Sequence, residues 1–235
     1  MKRLVFKIDD QLHIFRLGNT TNKKICEDSK EKIVQSYVFS FDQFQYVSDG
    51  GKSLKDFFAV ADSNCIDCPM RDYGKCYTHK FTQARGFLSM LRSIAKEFHM
   101  WHNIPDYSED VHNAVVDMCK DRYVRFGTYG EPVLHTIDLT TDIVDVAKTW
   151  TGYTHQWLKH PEFNKFFMAS VHTPSMQQKA SGFGWRSFVS VNEHASGLVN
   201  CPASKEAGFK SSCDKCGLCS GAEGKGKKSI YILEH

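Results

Sequence analysis

The sequence predicts an α/β protein built on a partial parallel (β/α) barrel, and three observations predict it. From residue 122 onward β-like runs and amphipathic helical runs alternate at the spacing of βαβ units. Glycines and polar or ionisable residues, among them Gly127, Gly130, Glu131, His155, His172, Asn192 and Glu193, fall where those strands would end. The carboxyl ends of strands are where such folds place their active groups. Finally, 235 residues with 41% hydrophobic and 24% charged content suffice to bury a large core without disulfides. Three segments are expected: a β-rich extension over 1–60, a barrel core over 61–198, and a cysteine-rich metal-binding module with a last strand over 199–235.

Each element has its own signal. In "RLVFKIDDQLHIFRL" apolar and polar residues alternate on both sides of Asp9-Asp10-Gln11, which reads as a β-hairpin. A second β-like run is "SYVFSFDQFQYV". Phe81, Ala84, Leu88, Leu91, Ala95, Phe98 and Met100 to Trp101 then follow three- and four-residue steps, a helix that Gly86 weakens slightly. "SEDVHNAVVDMCKD" reads as a helix capped by Ser108 with two acids in its first turn. "RYVRFGTYGEP" is a strand running into a glycine turn, and "TTDIVDVAKTW" a helix with Ile143, Val146, Ala147 and Trp150 on one stripe. "TGYTHQW", "KFFMASVHT", "WRSFVSVN" and "KKSIYILEH" read as strands, with "SMQQKASGFG" a short helix ended by glycine.

Charge and targeting signals exclude some classes. The net charge of +3 is too mild to imply nucleic acid by itself. "MKRLVFKIDD" carries neither a continuous apolar run nor a small-residue cleavage site, and no segment approaches roughly 18 uninterrupted apolar residues. A cytoplasmic protein without a membrane partner is expected.

The nine cysteines carry the chemistry. In a reducing compartment clustered thiols mark metal sites, and an odd number argues against complete pairing. "CPASKEAGFKSSCDKCGLC" places Cys201, Cys213, Cys216 and Cys219 at C-x11-C-x2-C-x2-C, enough thiolates to close either a zinc tetrahedron or a [4Fe-4S] cubane. "CIDCPMRDYGKC" supplies only Cys65, Cys68 and Cys76. Three cysteines on a cluster leave one iron open to a substrate or cofactor, whereas zinc would need a further ligand such as His79 or Cys26. Alternatively the two groups meet in space and share structural zinc sites. Cys119 reads as a core residue, and Cys26 as a free thiol in a polar stretch.

Other residues join this group by position. Glu131 follows a strand and two glycines, so its carboxylate can approach a ligand's ammonium or ribose hydroxyls. Arg125 precedes the same turn and would pair with a cofactor carboxylate or phosphate, or make an ordinary salt bridge. His155 alternates with Tyr153 and Trp157 and faces either a barrel mouth or the core, as does His172.

The order of these features resembles radical S-adenosylmethionine (radical SAM) enzymes: an early cysteine trio, a strand ending in Gly-Glu-Pro, then further β/α units. In that superfamily three cysteines hold a [4Fe-4S] cluster and the Gly-Glu motif binds the cofactor's amino group. The resemblance implies those roles for Cys65, Cys68 and Cys76, and for Gly130 and Glu131. The trio here is C-x2-C-x7-C where the superfamily's is C-x3-C-x2-C. The C-terminal quartet resembles the superfamily's auxiliary-cluster extensions. Over residues 60–235 the motifs "CIDCPMR", "RFGTYGEP", "TGYTHQW", "MASVHTP", "GWRSF" and "CPASKEAG" resemble an uncharacterised group of phage-encoded proteins. That origin would place the chain in the host cytoplasm. The competing expectation is a non-catalytic zinc-stabilised protein that engages a host protein or nucleic acid through its basic loop at 225–228.

Overall fold

The computed structural model describes residues 2–66, 68–71, 76–79 and 81–233. Residues 67 and 72–75 of the first cysteine segment, and 234–235 of the expected last strand, lie outside the described residues.

The chain opens with the expected hairpin, β1 (Lys2–Ile8) and β2 (Gln11–Gly18), paired antiparallel with Ile8 opposite Gln11. Asp9 takes the left-handed conformation that so tight a turn requires, at φ 50°. The second β-like run is a strand for only part of its length. β3 (Ile33–Ser40) stops at Ser40, and α1 (Phe41–Ser48) begins there. The reason is a capping box: Ser40 Oγ accepts from the Gln43 amide at 3.1 Å, and Gln43 Oε1 accepts from the Ser40 amide at 3.3 Å. Phe44 and Val47 are then buried from one helix face.

α2 (Leu54–Ala59) and α3 (Phe81–Phe98) follow. The latter ends before the expected Trp101 because His99 turns to φ 64°. α4 (Glu109–Cys119) is capped by Ser108 as expected, its hydroxyl accepting from the Val111 amide. β4 (Tyr123–Tyr129) leads through the Gly-Glu-Pro turn to α5 (Ile137–Val146). α5 is capped by Thr136 and ends before Trp150, which instead lies in β5 (Thr149–Thr151). The remaining elements are β6 (Tyr153–Thr154), β7 (Met168–Val171), α6 (Pro174–Gly182), β8 (Ser187–Val191), β9 (Val199–Asn200), α7 (Cys213–Cys216) and β10 (Ile230–Leu233).

The strands form two mixed-in-chain, largely parallel layers. One sheet runs β1-β2-β3-β4-β5, antiparallel up to β3 and parallel from β3 to β5. The other runs β6-β7-β8-β10-β9 and is parallel throughout. They meet where β5 passes into β6 at Gly152. A Cβ there would stand 2.4 Å from the Phe167 ring, so only glycine lets the strand bend across the core at this point.

The main core lies under both sheets, with Phe6, Phe15, Val124, Phe126, Leu139, Ile143, Phe167, Val171 and Val189 all essentially inaccessible. The N-terminal hairpin thus shares its core with the segment after residue 61. A second cluster joins β3 and Tyr129 to α1, α2 and α3 through Phe39, Phe44, Phe57 and Leu91. Fully burying each such side chain stabilises the fold by about 1.5–3 kcal/mol. No helix among the described residues is long and apolar enough to cross a membrane.

Candidate metal centres and the cavity between the strand ends

A cavity of about 530 Å³ opens at the carboxyl ends of the parallel strands. It is lined by the end of β4 and the turn that follows (Gly127 to Glu131), by His155 after β6 and His172 after β7, by Ser190 on β8 and by Leu233 on β10. Cys65, Cys68 and Cys76 line the same space from the loop between α2 and α3.

The β4 turn is built by a bulge. Gln35 pairs with Arg125 and Tyr37 with Tyr129, so two steps along β3 span four along β4. Ser36 Oγ accepts from the displaced Gly127 amide at 3.0 Å and also bonds His135 Nε2 at 3.1 Å. His135 Nδ1 in turn lies 2.9 Å from His13 Nδ1. The Nδ1–Nδ1 contact needs one ring to donate and the other to accept, which two neutral rings supply, while His13 Nε2 is buried with no hydrogen-bond partner among the described residues. Burial holds the His135 imidazolium down to about 3, and burial together with His135 keeps His13 well below its ordinary range.

Gly130 has φ 76°, and a Cβ on it would meet the Val38 carbonyl at 2.4 Å. That close approach turns the next residue, Glu131, beneath the cavity floor. The Glu131 amide donates to the Asn64 carbonyl at 2.9 Å, and Asn64 Nδ2 donates to the Val38 carbonyl at 2.8 Å, tying the turn to the start of the cysteine loop. The Glu131 carboxylate is buried and accepts from Thr154 Oγ1 at 2.6 Å, from the His155 amide at 3.2 Å and from His155 Nδ1 at 3.1 Å.

His155 therefore faces the cavity, while Trp157, expected on the same face, goes to the core because β6 ends at Thr154. Its Nε2 lies 3.9 Å from Cys68 Sγ and 3.3 Å from His172 Nε2. Burial alone would lower the His155 imidazolium, but its bonds to Cys68 and Glu131, and their charges, raise it to about 10. Burial pushes the Cys65 thiol up, and the charges of Cys68, Glu131 and Cys76 push it further the same way. Cys76 Sγ lies 3.0 Å from Thr78 Oγ1. His79, weighed as a further ligand, is buried against the Phe58 ring at 3.9 Å between centroids.

The second cysteine group lies at the opposite, amino ends of the strands. Cys201, Cys213, Cys216 and Cys219 surround a void of only about 20 Å³ against Thr151, Tyr153 and Ile230. Burial raises the Cys213 thiol to about 11, a shift that Cys201 and Cys216 increase and Arg125 opposes. The two groups are thus separate, and the expectation that they pool ligands in shared zinc sites does not match their placement. Tyr153 lines both spaces, and Arg125 lines the larger one while its charge reaches Cys213.

Arg186 organises the quartet loop and carried no signal in the sequence beyond opening a strand. Although an arginine, it is buried, and it donates to the carbonyls of Gly221 at 2.6 Å, Leu218 at 2.8 Å and Lys228 at 2.7 Å. The basic segment at 225–228 is drawn onto this module, with the Lys225 amide on Ser220 Oγ and the Lys228 carbonyl on Arg186.

Cys119 is buried in the main core as expected, and burial raises its thiol to about 12. Cys26 is neither exposed nor beside the trio. The loop after β2 runs back to α7, where Lys24 and Ile25 accept from the amides of Cys213 and Asp214, so Cys26 is buried against Asp214. Burial, then the Asp214 and Glu31 carboxylates, push its thiol up to about 11. The chain matches no family model, no curated protein and no solved structure, so the conclusion about its chemistry rests on this geometry.

Proposed function

We propose that the chain is an iron–sulfur protein resembling radical SAM enzymes, in which Cys65, Cys68 and Cys76 hold an open [4Fe-4S] cluster and S-adenosylmethionine occupies the cavity beside it. One observation carries this reading. Three cysteines, not four, line a cavity of about 530 Å³ that they share with the Gly130-Glu131 turn at the strands' carboxyl ends.

The donor set fits the group: Cys65, Cys68 and Cys76 would supply three thiolates to a cluster, and the cavity they line is large enough for a small molecule. When bound, such a cluster supplies single electrons at an iron that can take a further ligand. Gly130 lets the turn lie against the Val38 carbonyl, which sets Glu131 in the cavity lining. Glu131 offers negative charge toward a ligand's ammonium while it orients His155 next to Cys68. Arg125 sets a positive charge in the cavity wall suited to a ligand carboxylate. The passage at Gly152 from a mixed sheet to a parallel one is compatible with a partial (β/α) barrel. The quartet closes a second metal site on the far side, for which a cubane or a zinc ion has the right number of thiolates.

Anaerobic purification followed by iron and acid-labile sulfide analysis tests the cluster. The expected result is a coloured protein whose Cys68→Ser variant loses about one cluster's iron. A colourless protein with zinc on the trio overturns the reading. Calorimetric titration tests the cavity: Glu131→Gln is expected to weaken S-adenosylmethionine binding by about 1.5–3 kcal/mol, the range for a hydrogen bond to a charged group. Equal affinity in both proteins would leave Glu131 only its bonds to Thr154 and His155.

A further inference from the structure

A third set of possible ligands lies beside the C-terminal cysteines. Cys26 Sγ, a Glu31 carboxylate oxygen and an Asp214 carboxylate oxygen lie within 4.8 Å of one another. Cys26 is 1% exposed and Asp214 9% exposed. Asp214 Oδ2 lies 3.5 Å from the sulfur, whereas its other oxygen, Oδ1, is buried with no hydrogen-bond partner. A carboxylate oxygen left unpaired in the interior is costly, and a cation is one of the few partners that removes the cost. The Asp28 carbonyl, 3.3 Å from the same sulfur, is a fourth donor at hand.

The framework around these groups is fixed from both sides. The Lys24 and Ile25 carbonyls accept from the amides of Cys213 and Asp214 at 2.8 and 3.0 Å. An ion pair between Lys215 and Glu27 clamps the same loop to α7. Asp214 stands between two cysteines of the quartet in sequence, but its carboxylate bonds the Cys26 thiol on the N-terminal loop.

We propose that Cys26, Glu31 and Asp214 form a separate site for a single divalent cation of zinc type, which ties the N-terminal loop to the C-terminal cysteine module. One thiolate with two carboxylates and a carbonyl suits a borderline ion such as zinc better than magnesium or calcium, which prefer all-oxygen shells. Binding releases the Cys26 proton to solvent and replaces the Cys26–Asp214 hydrogen bond with two bonds to the metal. The site shares α7 with the quartet but no ligand with it.

Zinc itself is the probe. Full-length wild type, Cys26→Ser and Glu31→Gln would be dialysed against buffered free zinc, with bound metal and thermal melting measured at each concentration. Wild type is expected to take up one zinc more than Cys26→Ser, and Glu31→Gln to need at least tenfold more free zinc for that last equivalent. Zinc should raise the melting temperature of wild type more than that of either variant. If Cys26→Ser does not fold, Glu31→Gln decides alone, because the Glu31 side chain is 34% exposed and its loss leaves the core intact. Superimposable zinc isotherms for wild type and Glu31→Gln would overturn the proposal.

Discussion

Cys65, Cys68 and Cys76 open onto a cavity of about 530 Å³, whereas Cys201, Cys213, Cys216 and Cys219 enclose a void of about 20 Å³ at the other end of the same strands. The trio sits on a loop whose neighbours are ionisable and face the cavity: Glu131, His155 and His172. The quartet is packed against Tyr153, Leu218 and Ile230 and laced together by a buried arginine. Under the proposed function, three thiols open to a cavity would suit exchange of a substrate or cofactor, while four without space would suit structure. Tyr153, in the wall of both, shows that one strand layer separates the two roles.

The largest expected effect breaks that comparison directly. If the quartet holds a metal as proposed, its binding energy adds to the folded state, so Cys213→Ser should cost about 4 kcal/mol or more. In a chain of this size that lowers the melting temperature by about 8–16 °C. Cys68→Ser, whose neighbours line a cavity and not a packed core, should cost less than Cys213→Ser. Equal losses from the two variants would mean that both groups are structural.

Arg186→Met comes next. It leaves the carbonyls of Gly221, Leu218 and Lys228 without their charged donor in a buried place. The expected loss is about 3 kcal/mol, read from urea unfolding, with metal at the quartet weakened and binding in the cavity unchanged.

What could be read in advance follows from how local each signal is. The hairpin, the Ser108-capped helix and the strand leading into the β4 turn are written in contiguous residues, and the chain folds them as such. The switch from β3 to α1 was written too, as Ser40 followed by Gln43, but the alternating aromatics of "SYVFSFDQFQYV" mask a capping box. Other features depend on distant partners. Nothing near Arg186 announces that three carbonyls from residues 218–228 will converge on it. Nothing near Cys26 shows that residues 24 and 25 will pair with 213 and 214. The link from His13 through His135 and Ser36 to Gly127 likewise joins four separate segments.

That histidine pair sharpens the comparison because it lies outside both metal groups. His135 titrates near 3 in the folded chain and near 6.5 when unfolded, so the unfolded chain takes up its proton first. Stability is therefore complete above pH 6.5 and falls as the pH drops toward 3, by about 2 kcal/mol for this residue at pH 5. His135→Gln, which keeps a hydrogen-bonding side chain, should lose about 2 kcal/mol less than wild type between pH 7 and pH 5 in urea melts. If the two proteins lose the same amount, acid acts through the metal groups instead.

The difference between an open and a closed metal site is tested most directly by electron paramagnetic resonance of the reduced, anaerobic protein with and without S-adenosylmethionine. A new ligand at one iron alters the electronic structure of its cluster. The account predicts that adding S-adenosylmethionine changes the spectrum of wild type, that Cys68→Ser abolishes the response, and that any signal from the quartet persists in that variant. A trio that holds zinc, or a cluster spectrum indifferent to S-adenosylmethionine, would contradict it.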